Sequence, residues 1–179
     1  LNGLVRKYAP FIPASIRNKF VNWHNAKLAA TFDNVIATTD FAAAEFVRIK
    51  TNNLRKVALG VDLIGFTPEN RNYKLRKELL KGAEFLLVHC GRMSPEKQPE
   101  RSVQALAELI KRGVNARLII VGGGPLWNKV RKQSIGLPVD MVGYIASRQK
   151  VADYLAAADL AIAPGPLETF CLSALESLA

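Results

Sequence analysis

From residue 83 onward, short apolar runs alternate with longer stretches that have helical spacing. The runs cover residues 85–90, 117–121, 139–142 and 160–163, and a glycine or proline follows each one. Short, almost continuous apolar runs are typical of strands buried on both faces of a parallel sheet. Residues 103–110 have apolar positions at i, i+3, i+4 and i+7 before Lys111-Arg112-Gly113, which predicts an amphipathic helix. The alternation predicts an α/β fold, with a Rossmann-like parallel sheet and helices on both faces.

Three further helices are predicted in this part: one opened by Pro125, one over 148–157 and one beginning near Phe170. The first 82 residues have a less regular pattern. Residues 14–31 predict a basic amphipathic helix on which Ile16, Phe20, Trp23 and Ala30 could share a face.

Strands are predicted at 35–37 and 57–59, with a helix between them that Asp40 caps and that runs to about Lys50. We therefore divide the chain into the end of a second α/β domain (1–60), a linker and helix (61–82) and the Rossmann-like domain (83–179). The chain starts without Met and stops inside a predicted helix, so we expect it to be truncated at both ends, the Rossmann-like domain at its C-terminus.

The formal charge of +10 is concentrated in the first part, because residues 1–82 hold 14 Lys and Arg against 6 Asp and Glu. Two cysteines in 179 residues do not make a disulfide framework, which indicates a reducing, cytoplasmic setting. No apolar run reaches the length of a bilayer. The two histidines, His24 and His89, have no cysteine at metal-ligand spacing, so a zinc site is not expected.

Residues 6–27 interleave basic and aromatic side chains. The members are Arg6, Lys7, Tyr8, Phe11, Arg17, Lys19, Phe20, Trp23 and Lys27. Cations beside aromatic rings suit an anionic membrane surface or single-stranded nucleic acid. A plain solvated basic face is the other interpretation.

The loop after the first strand of the sheet holds two cations near a glycine. Gly91 allows a close backbone approach, and Arg92 and Lys97 could offer a planar fork and a mobile charge to a phosphoryl group. Two cations in a loop are more often ordinary surface residues. The glycine run 122–124 is neither G-x-G-x-x-G nor a P-loop, and it predicts a tight turn whose backbone could touch phosphate or sugar.

Two carboxylates, Glu168 and Glu176, lie eight residues apart around the last predicted helix start. Eight helical residues rise about 12 Å, which could span a nucleotide sugar. The free amides near Phe170, Cys171 and Leu172 could bind an anion between them. The alternative is that Glu168 only complements the helix dipole and Glu176 lies at the surface.

Four motifs in order resemble the family-4 retaining glycosyltransferases of GT-B fold. They are Gly91-Arg92-x3-Glu96-Lys97, Val121-Gly122-x-Gly124-Pro125, Gly143-Tyr144-Ile145 and Glu168-x7-Glu176. The likeness covers roughly residues 57–179, and it extends to the bacterial GDP-mannose-dependent mannosyltransferases of cell-envelope glycolipid synthesis. Two positions depart from the pattern: Leu59 stands where Asn is frequent, and Cys171 stands where Gly is common and could crowd the diphosphate.

The resemblance implies roles for these residues. Arg92 and Lys97 would bind the donor diphosphate, and Glu168 would hold the sugar hydroxyls. Glu176 would hold the ribose hydroxyls, and the backbone at Tyr144 and Ile145 would contact the base. Gly91, Gly122, Gly124, Phe170, Cys171 and Leu172 would complete the donor site. No metal or other cofactor would be needed, which agrees with the lack of an Asp-x-Asp motif.

By the same resemblance, residues 1–60 would be the C-terminal part of an acceptor-side N-terminal domain. The predicted reaction is transfer of a hexose, mannose from GDP-mannose, to a lipid or glycan acceptor, with the protein at the inner face of the membrane. We expect this chain to be inactive in transfer by itself. UDP-glucose or another UDP-sugar as donor remains an alternative. So does a non-catalytic membrane- or nucleic-acid-binding module, with nucleic acid the less expected partner.

Overall fold

The computed structural model describes residues 5, 10–166 and 168–179. The predicted basic residues Arg6 and Lys7, with Tyr8, lie outside these ranges. The chain divides into two compact units, Leu1–Gly60 and Val61–Ala179. Among the described helices, none is both long and apolar enough to cross a membrane.

The first unit contains a small β-α-β arrangement after a long helix. Helix α1 covers Ala14–Thr31, strand β1 Val35–Ala37, helix α2 Asp40–Arg48 and strand β2 Leu54–Lys56. The two strands pair in parallel, with Val35 opposite Leu54. Because parallel neighbours require a crossover connection, α2 lies between them along the chain.

Two predictions in the first unit are wrong in detail. The second strand lies at 54–56 and not at 57–59, because Asn53 accepts from the amide of Val35 and so sets the pairing three residues earlier. Asp40 does not cap α2. The residue before it, Thr39, is extended, and its hydroxyl accepts from the amide of Ala42 at 3.1 Å.

Helix α1 turns its largest apolar side chains outward. Ile16, Phe20 and Trp23 are more than half exposed, whereas the residues that it buries are Val21 and Asn25. The rings of Phe20 and Trp23 lie 6.1 Å apart between centroids. The predicted apolar face therefore exists at these positions, but α1 does not bury it.

The second unit is a four-stranded parallel sheet in the order β5-β4-β3-β6. Its strands are β3 (Phe85–Cys90), β4 (Ala116–Val121), β5 (Val139–Gly143) and β6 (Leu160–Ala161). Its helices are α3 (Tyr73–Leu80), α4 (Glu100–Lys111), α5 (Trp127–Gln133), α6 (Arg148–Ala157) and α7 (Leu172–Leu178), and a 3-10 turn covers Pro68–Asn70.

Apolar side chains cover both faces of this sheet. On one face Leu87 and Leu118 pack with Leu106 of α4 and Val130 of α5. On the other face a second cluster comprises Leu86, Val88, Ile119, Val121 and Ala157. The predicted parallel sheet with helices on both faces is therefore confirmed.

Two predicted helix starts are too early. Pro125 does not open α5, because the amide of Leu126 donates to Met93 outside the helix and the first helical residue is Trp127. Helix α7 begins at Leu172 and not near Phe170, because Cys171 has a left-handed backbone with φ 63°. Glu168 therefore lies before the helix in irregular chain, and the 12 Å helical span does not describe its separation from Glu176.

Helix α3, expected within a linker segment, belongs to the same compact unit as the sheet. Asp159 accepts from the amide of Leu86 at 2.8 Å and pairs with Arg76 of α3 at 2.9 Å. Burial raises the pKa of Asp159, but the Leu86 amide and Arg76 outweigh burial and lower it overall. This carboxylate therefore joins α3 to the edge of the sheet near β6.

Candidate functional site

The loops that follow the four strands emerge at one edge of the sheet, since the strands are parallel. These loops begin at Gly91, Gly122, Tyr144 and Ile162. In open parallel sheets the carboxyl edge is the usual place for a ligand. The predicted site residues fall on or beside these loops, so the question is how their side chains are arranged.

Two glycines allow the first two loops to pack backbone against backbone. A Cβ on Gly122, where φ is +135°, would lie 2.0 Å from the carbonyl oxygen of Gly91. A Cβ on Gly124, where φ is +152°, would lie 2.5 Å from the carbonyl oxygen of Met93. The Met93 amide also donates to Gly123 at 2.9 Å. Gly124 thus serves loop packing, because its Cα faces Met93 and not an open space.

A cleft of about 460 Å³ opens between these loops; we call it the edge cleft. It is lined by Cys90, Gly91, Arg92, Val121, Gly122, Gly123, Tyr144, Ile145 and Val151. Five of the predicted site residues are therefore together here: Gly91, Arg92, Gly122, Tyr144 and Ile145. The walls are mostly aliphatic side chains and glycine backbone, and Tyr144 is 81% exposed. Such walls suit a flat, weakly polar group.

Arg92 is the only cation among the residues that line the edge cleft. Its side chain is exposed and forms no hydrogen bond or ion pair with the part of the chain that the structure describes. A guanidinium that has no protein partner can turn toward an anion in the cleft without breaking an existing contact.

A second, much smaller space of about 30 Å³ lies beside the edge cleft; we call it the small cavity. Its lining comprises His89, Cys90, Gly91, Lys97, Ala163, Pro164, Gly165, Glu168, Cys171 and Ser173. Lys97 and Glu168 form an ion pair within it. Cys90 and Gly91 line both spaces, so the two are neighbours along the end of β3.

His89 is a buried, neutral group at the wall of the small cavity. Its side chain lies under 4% exposed, and Nδ1 is 2.9 Å from the hydroxyl of Ser102 on α4. Burial lowers the pKa of His89 to about 4; the Ile162 backbone partly opposes this, and the charge of Lys97 adds to it. Among the described residues, Nε2 has no hydrogen-bond partner of good geometry.

Cys90 is an unreactive thiol at the junction of the two spaces. Burial raises its pKa to about 11, and the negative charge of Glu176 acts in the same direction. The thiol therefore remains protonated at neutral pH and acts as a wall atom.

Glu176 lines neither space. It is buried, with a side chain 7% exposed, and Oε1 accepts from Arg148 of α6 at 2.8 Å. The guanidinium of Arg148 lies 4.9 Å from the ring centre of Phe66. Gly124, Phe170 and Leu172 also lie outside the linings of both spaces. The structure thus places Arg92 at the edge cleft and Lys97, Glu168 and Cys171 at the small cavity. Glu176 instead forms an ion pair with Arg148.

Sequence reasoning missed His89 and Arg148. A signal existed for His89, since it is the only polar side chain in the run Phe85–Cys90, and a polar residue inside a buried strand needs a partner or a purpose. Arg148 follows the helix cap Ser147 and looks like any exposed helix start. Its ion pair joins residues 28 positions apart and cannot be read from spacing.

The fold and the edge cleft define an α/β protein of the class that binds ligands at the carboxyl edge of a parallel sheet. Residues 70–179 match the family model described as glycosyl transferases group 1. The chain belongs to this family. The resemblance to retaining glycosyltransferases stated from the motifs is confirmed.

Two curated relatives indicate which members are similar. The GDP-mannose-dependent alpha-(1-6)-phosphatidylinositol dimannoside mannosyltransferase of Mycobacterium tuberculosis is 49% identical over 168 residues, which is 94% of this chain and 44% of that protein. The GDP-mannose-dependent alpha-mannosyltransferase of Mycolicibacterium smegmatis is 29% identical over 82% of this chain and 37% of that protein. The chain thus spans less than half the length of these relatives.

Solved structures share the fold. Anabaena Alr3699/HepE, in complex with UDP and glucose, has a TM-score of 0.73 at 20% identity and covers 95% of this chain and 47% of its own. WaaG, a glycosyltransferase involved in lipopolysaccharide biosynthesis, has a TM-score of 0.64 at 22% identity and covers 80% of this chain and 41% of its own. The expected GT-B type of α/β fold is confirmed.

Proposed function

We propose that this chain carries the donor-binding part of a retaining glycosyltransferase that moves mannose from GDP-mannose to a lipid or glycan acceptor. The observation that carries the proposal is the adjacency of the edge cleft and the small cavity at Gly91, with Arg92 on one side and the Lys97–Glu168 pair on the other. The 49% identity to a GDP-mannose-dependent relative supports the choice of donor.

In this proposal the donor extends along the end of β3. The base lies in the edge cleft against Tyr144 and Ile145, the diphosphate lies beside Gly91, and the sugar lies at Glu168. Arg92 and Lys97 stabilise the negative charge that develops on the leaving diphosphate as the glycosidic bond breaks. Cations held near the diphosphate stabilise the charge that develops there in the transition state.

Glu176 keeps a proposed role in binding the ribose, with one condition. Arg148 contacts Oε1, so Oε2 would be the oxygen that accepts from a ribose hydroxyl.

We further propose that transfer needs no metal ion, since Arg92 and Lys97 supply positive charge to the diphosphate. Transfer by the longer protein that persists in excess chelator would support this; loss that Mg²⁺ or Mn²⁺ restores would contradict it.

Calorimetric titration of the chain with GDP, UDP and ADP tests the nucleotide assignment. We expect GDP to bind most tightly and Arg92→Ala to weaken it about tenfold, because a charge-assisted contact is lost. Arg112→Ala, which alters an exposed arginine on the far end of α4, is the matched control. Tighter binding of UDP would favour the UDP-sugar alternative, and a folded sample that binds none of the three would remove the proposal.

The acceptor side is proposed by analogy with the relative that acts on phosphatidylinositol dimannoside, as its name states. Because the chain spans less than half of that relative, we expect it to bind donor without transferring sugar. Turnover by this chain alone would refute that expectation.

The exposed basic and aromatic face of α1 supports a further proposal, contact with the anionic surface of the inner leaflet. Phe20 and Trp23 of α1 are exposed, as is Phe11 just before the helix, and the Lys27 ammonium lies 5.5 Å from the Trp23 ring centre. Sedimentation with anionic and neutral vesicles tests it. We expect binding to anionic vesicles that salt weakens and that a Phe20→Ser, Trp23→Ser double variant loses. Binding to single-stranded RNA instead would contradict it.

A further inference from the structure

His89 has an unused hydrogen-bonding group that faces the proposed donor site. Nδ1 is engaged by Ser102 at 2.9 Å. Among the described residues, Nε2 has no partner of good hydrogen-bond geometry, and the backbone of Ile162 is the further hydrogen-bonding group near the ring. A Cβ placed on Gly91 would lie 3.9 Å from Nε2, so this nitrogen faces the residue that lines both the edge cleft and the small cavity. A buried nitrogen without a well-placed partner destabilises the fold, so its position beside the small cavity indicates that a ligand group binds it.

The contact with Ser102 guides the choice of tautomer for the imidazole. The side chain of Ser102 is fully buried, and its one hydrogen-bond partner among the described residues is His89. The distance fits either tautomer, and we take the one in which the Ser102 hydroxyl, which has no other side-chain partner there, donates to Nδ1. The neutral ring then carries its own hydrogen on Nε2, which makes the cavity-facing atom a donor.

The other groups of the small cavity select the kind of ligand. Inside the small cavity the ammonium of Lys97 is paired with the carboxylate of Glu168, whereas the diphosphate of the proposed function lies outside this cavity, beside Gly91. A phosphate oxygen in the small cavity would be repelled by the carboxylate of Glu168. A hydroxyl group, in contrast, can donate to Glu168 and accept from the Nε2 hydrogen at once. The volume of about 30 Å³ admits one oxygen-sized group.

We propose that His89 is a further sugar-binding residue, whose Nε2 hydrogen donates to a hydroxyl of the transferred hexose that also donates to Glu168. This inference rests on the proposed function. It adds a discriminating contact from inside the sheet, because a sugar that lacks or inverts that hydroxyl would leave the Nε2 hydrogen without an acceptor.

Calorimetric titration of the whole chain with GDP-mannose and with GDP tests the proposal. We expect His89→Phe to weaken GDP-mannose about tenfold while GDP stays within about twofold, because only the sugar touches Nε2. His89→Gln should restore part of the affinity, since its amide nitrogen can reach a similar point. Ser102→Ala should cause an intermediate loss of GDP-mannose affinity, because the imidazole could then carry its hydrogen on either nitrogen.

Deoxy analogues of GDP-mannose identify the hydroxyl. Each analogue lacks the hydroxyl at one ring position. The wild type and His89→Phe should bind one of them with equal affinity, namely the analogue that lacks the hydroxyl contacted by Nε2. Retained GDP affinity shows that each variant is folded; if His89→Phe does not fold, His89→Gln and Ser102→Ala carry the test. Equal weakening of GDP and GDP-mannose, or no weakening of either, would overturn the role of His89. Failure of the wild type to bind either ligand would instead remove the proposed function.

Discussion

The edge cleft and the small cavity meet at Cys90 and Gly91 yet are built on opposite principles. The edge cleft is about fifteen times larger and has aliphatic and glycine walls, with one cation and one exposed aromatic ring. The small cavity is lined by an imidazole, an ammonium and a carboxylate around a space for one atom group. The first offers shape to a flat ligand, and the second offers directed hydrogen bonds.

The difference teaches where tolerance and discrimination reside. A cleft with apolar walls accepts related bases with small differences in affinity, because one group more or less changes little buried area. A cavity with buried polar groups rejects a ligand that leaves them unpaired. We therefore expect changes in the edge cleft to alter affinity gradually unless they touch its backbone, and changes in the small cavity to alter selectivity.

The largest expected effect comes from the backbone contact that shapes the edge cleft. Gly122→Ala places a Cβ 2.0 Å from the Gly91 carbonyl oxygen at a φ of +135°. The loops must separate, so we expect a loss of about 3 kcal/mol or more of unfolding free energy. Gly123→Ala is the matched control, because its Cβ would meet nothing closer than 3.9 Å. Urea denaturation of both variants provides the measurement, and equal stability would contradict the packing argument.

The next effect isolates the small cavity through pH. The pKa of His89 is lowered to about 4 from 6.5, so the unfolded chain binds more protons between these values. Stability contributed by the neutral ring is complete above about pH 6.5 and is lost as pH falls toward 4. By pH 4.5 the loss should be about 2–3 kcal/mol.

Urea denaturation of the wild type and His89→Gln at pH 7 and 4.5 isolates this term, since Gln does not titrate. We expect the wild type to lose about 2–3 kcal/mol more than the variant. An identical pH dependence of the two would show that the ring is already hydrated in the folded chain.

A smaller effect is expected outside both spaces, at Arg148. Its removal leaves the Glu176 carboxylate, 7% exposed, without its partner. We expect Arg148→Ala to lower the free energy of unfolding by about 1–2 kcal/mol. Arg112→Ala removes an exposed pair with Glu108 and should change stability by less than about 0.5 kcal/mol. Similar effects of the two in thermal or urea unfolding would count against a special burial cost at Glu176.

The smallest effect is expected at the mouth of the edge cleft. Tyr144 is 81% exposed, so its removal costs the fold little. If a base stacks on its ring, Tyr144→Ala should weaken GDP about fivefold, while Tyr144→Phe should keep the affinity of the wild type. Equal affinity of all three proteins would move the base away from this ring.

The sheet was predictable from the sequence because its signal is local. The runs at 85–90 and 117–121 are apolar apart from His89 and Arg117, and nearly continuous apolar runs are typical of strands buried on both faces. The glycine turn was also foreseeable as a turn. Its reason was not, since the contact of Gly122 with Gly91 joins two loops that the sequence separates by a helix and a strand.

The candidate site was predictable in its residue types and less so in its pairings. Arg92, Lys97 and Glu168 follow strands and so reach one edge. The ion pair of Glu176 with Arg148 depends on the packing of α6 against α7. Residue spacing encodes neither this pair nor the left-handed backbone of Cys171 that precedes α7. The burial of the apolar face of α1 was not predictable for a related reason, since the same sequence pattern of apolar residues occurs on buried and on exposed helix faces.

The high pKa of Cys90 has a practical consequence for labelling. With a pKa of about 11, only about one molecule in ten thousand carries the thiolate at pH 7, so alkylating reagents and peroxide would leave this sulfur almost untouched. A fluorophore could then be attached through Cys171 alone, the other cysteine of the chain. Such a probe would report on the loop before α7 while the core strand beside it stays chemically silent.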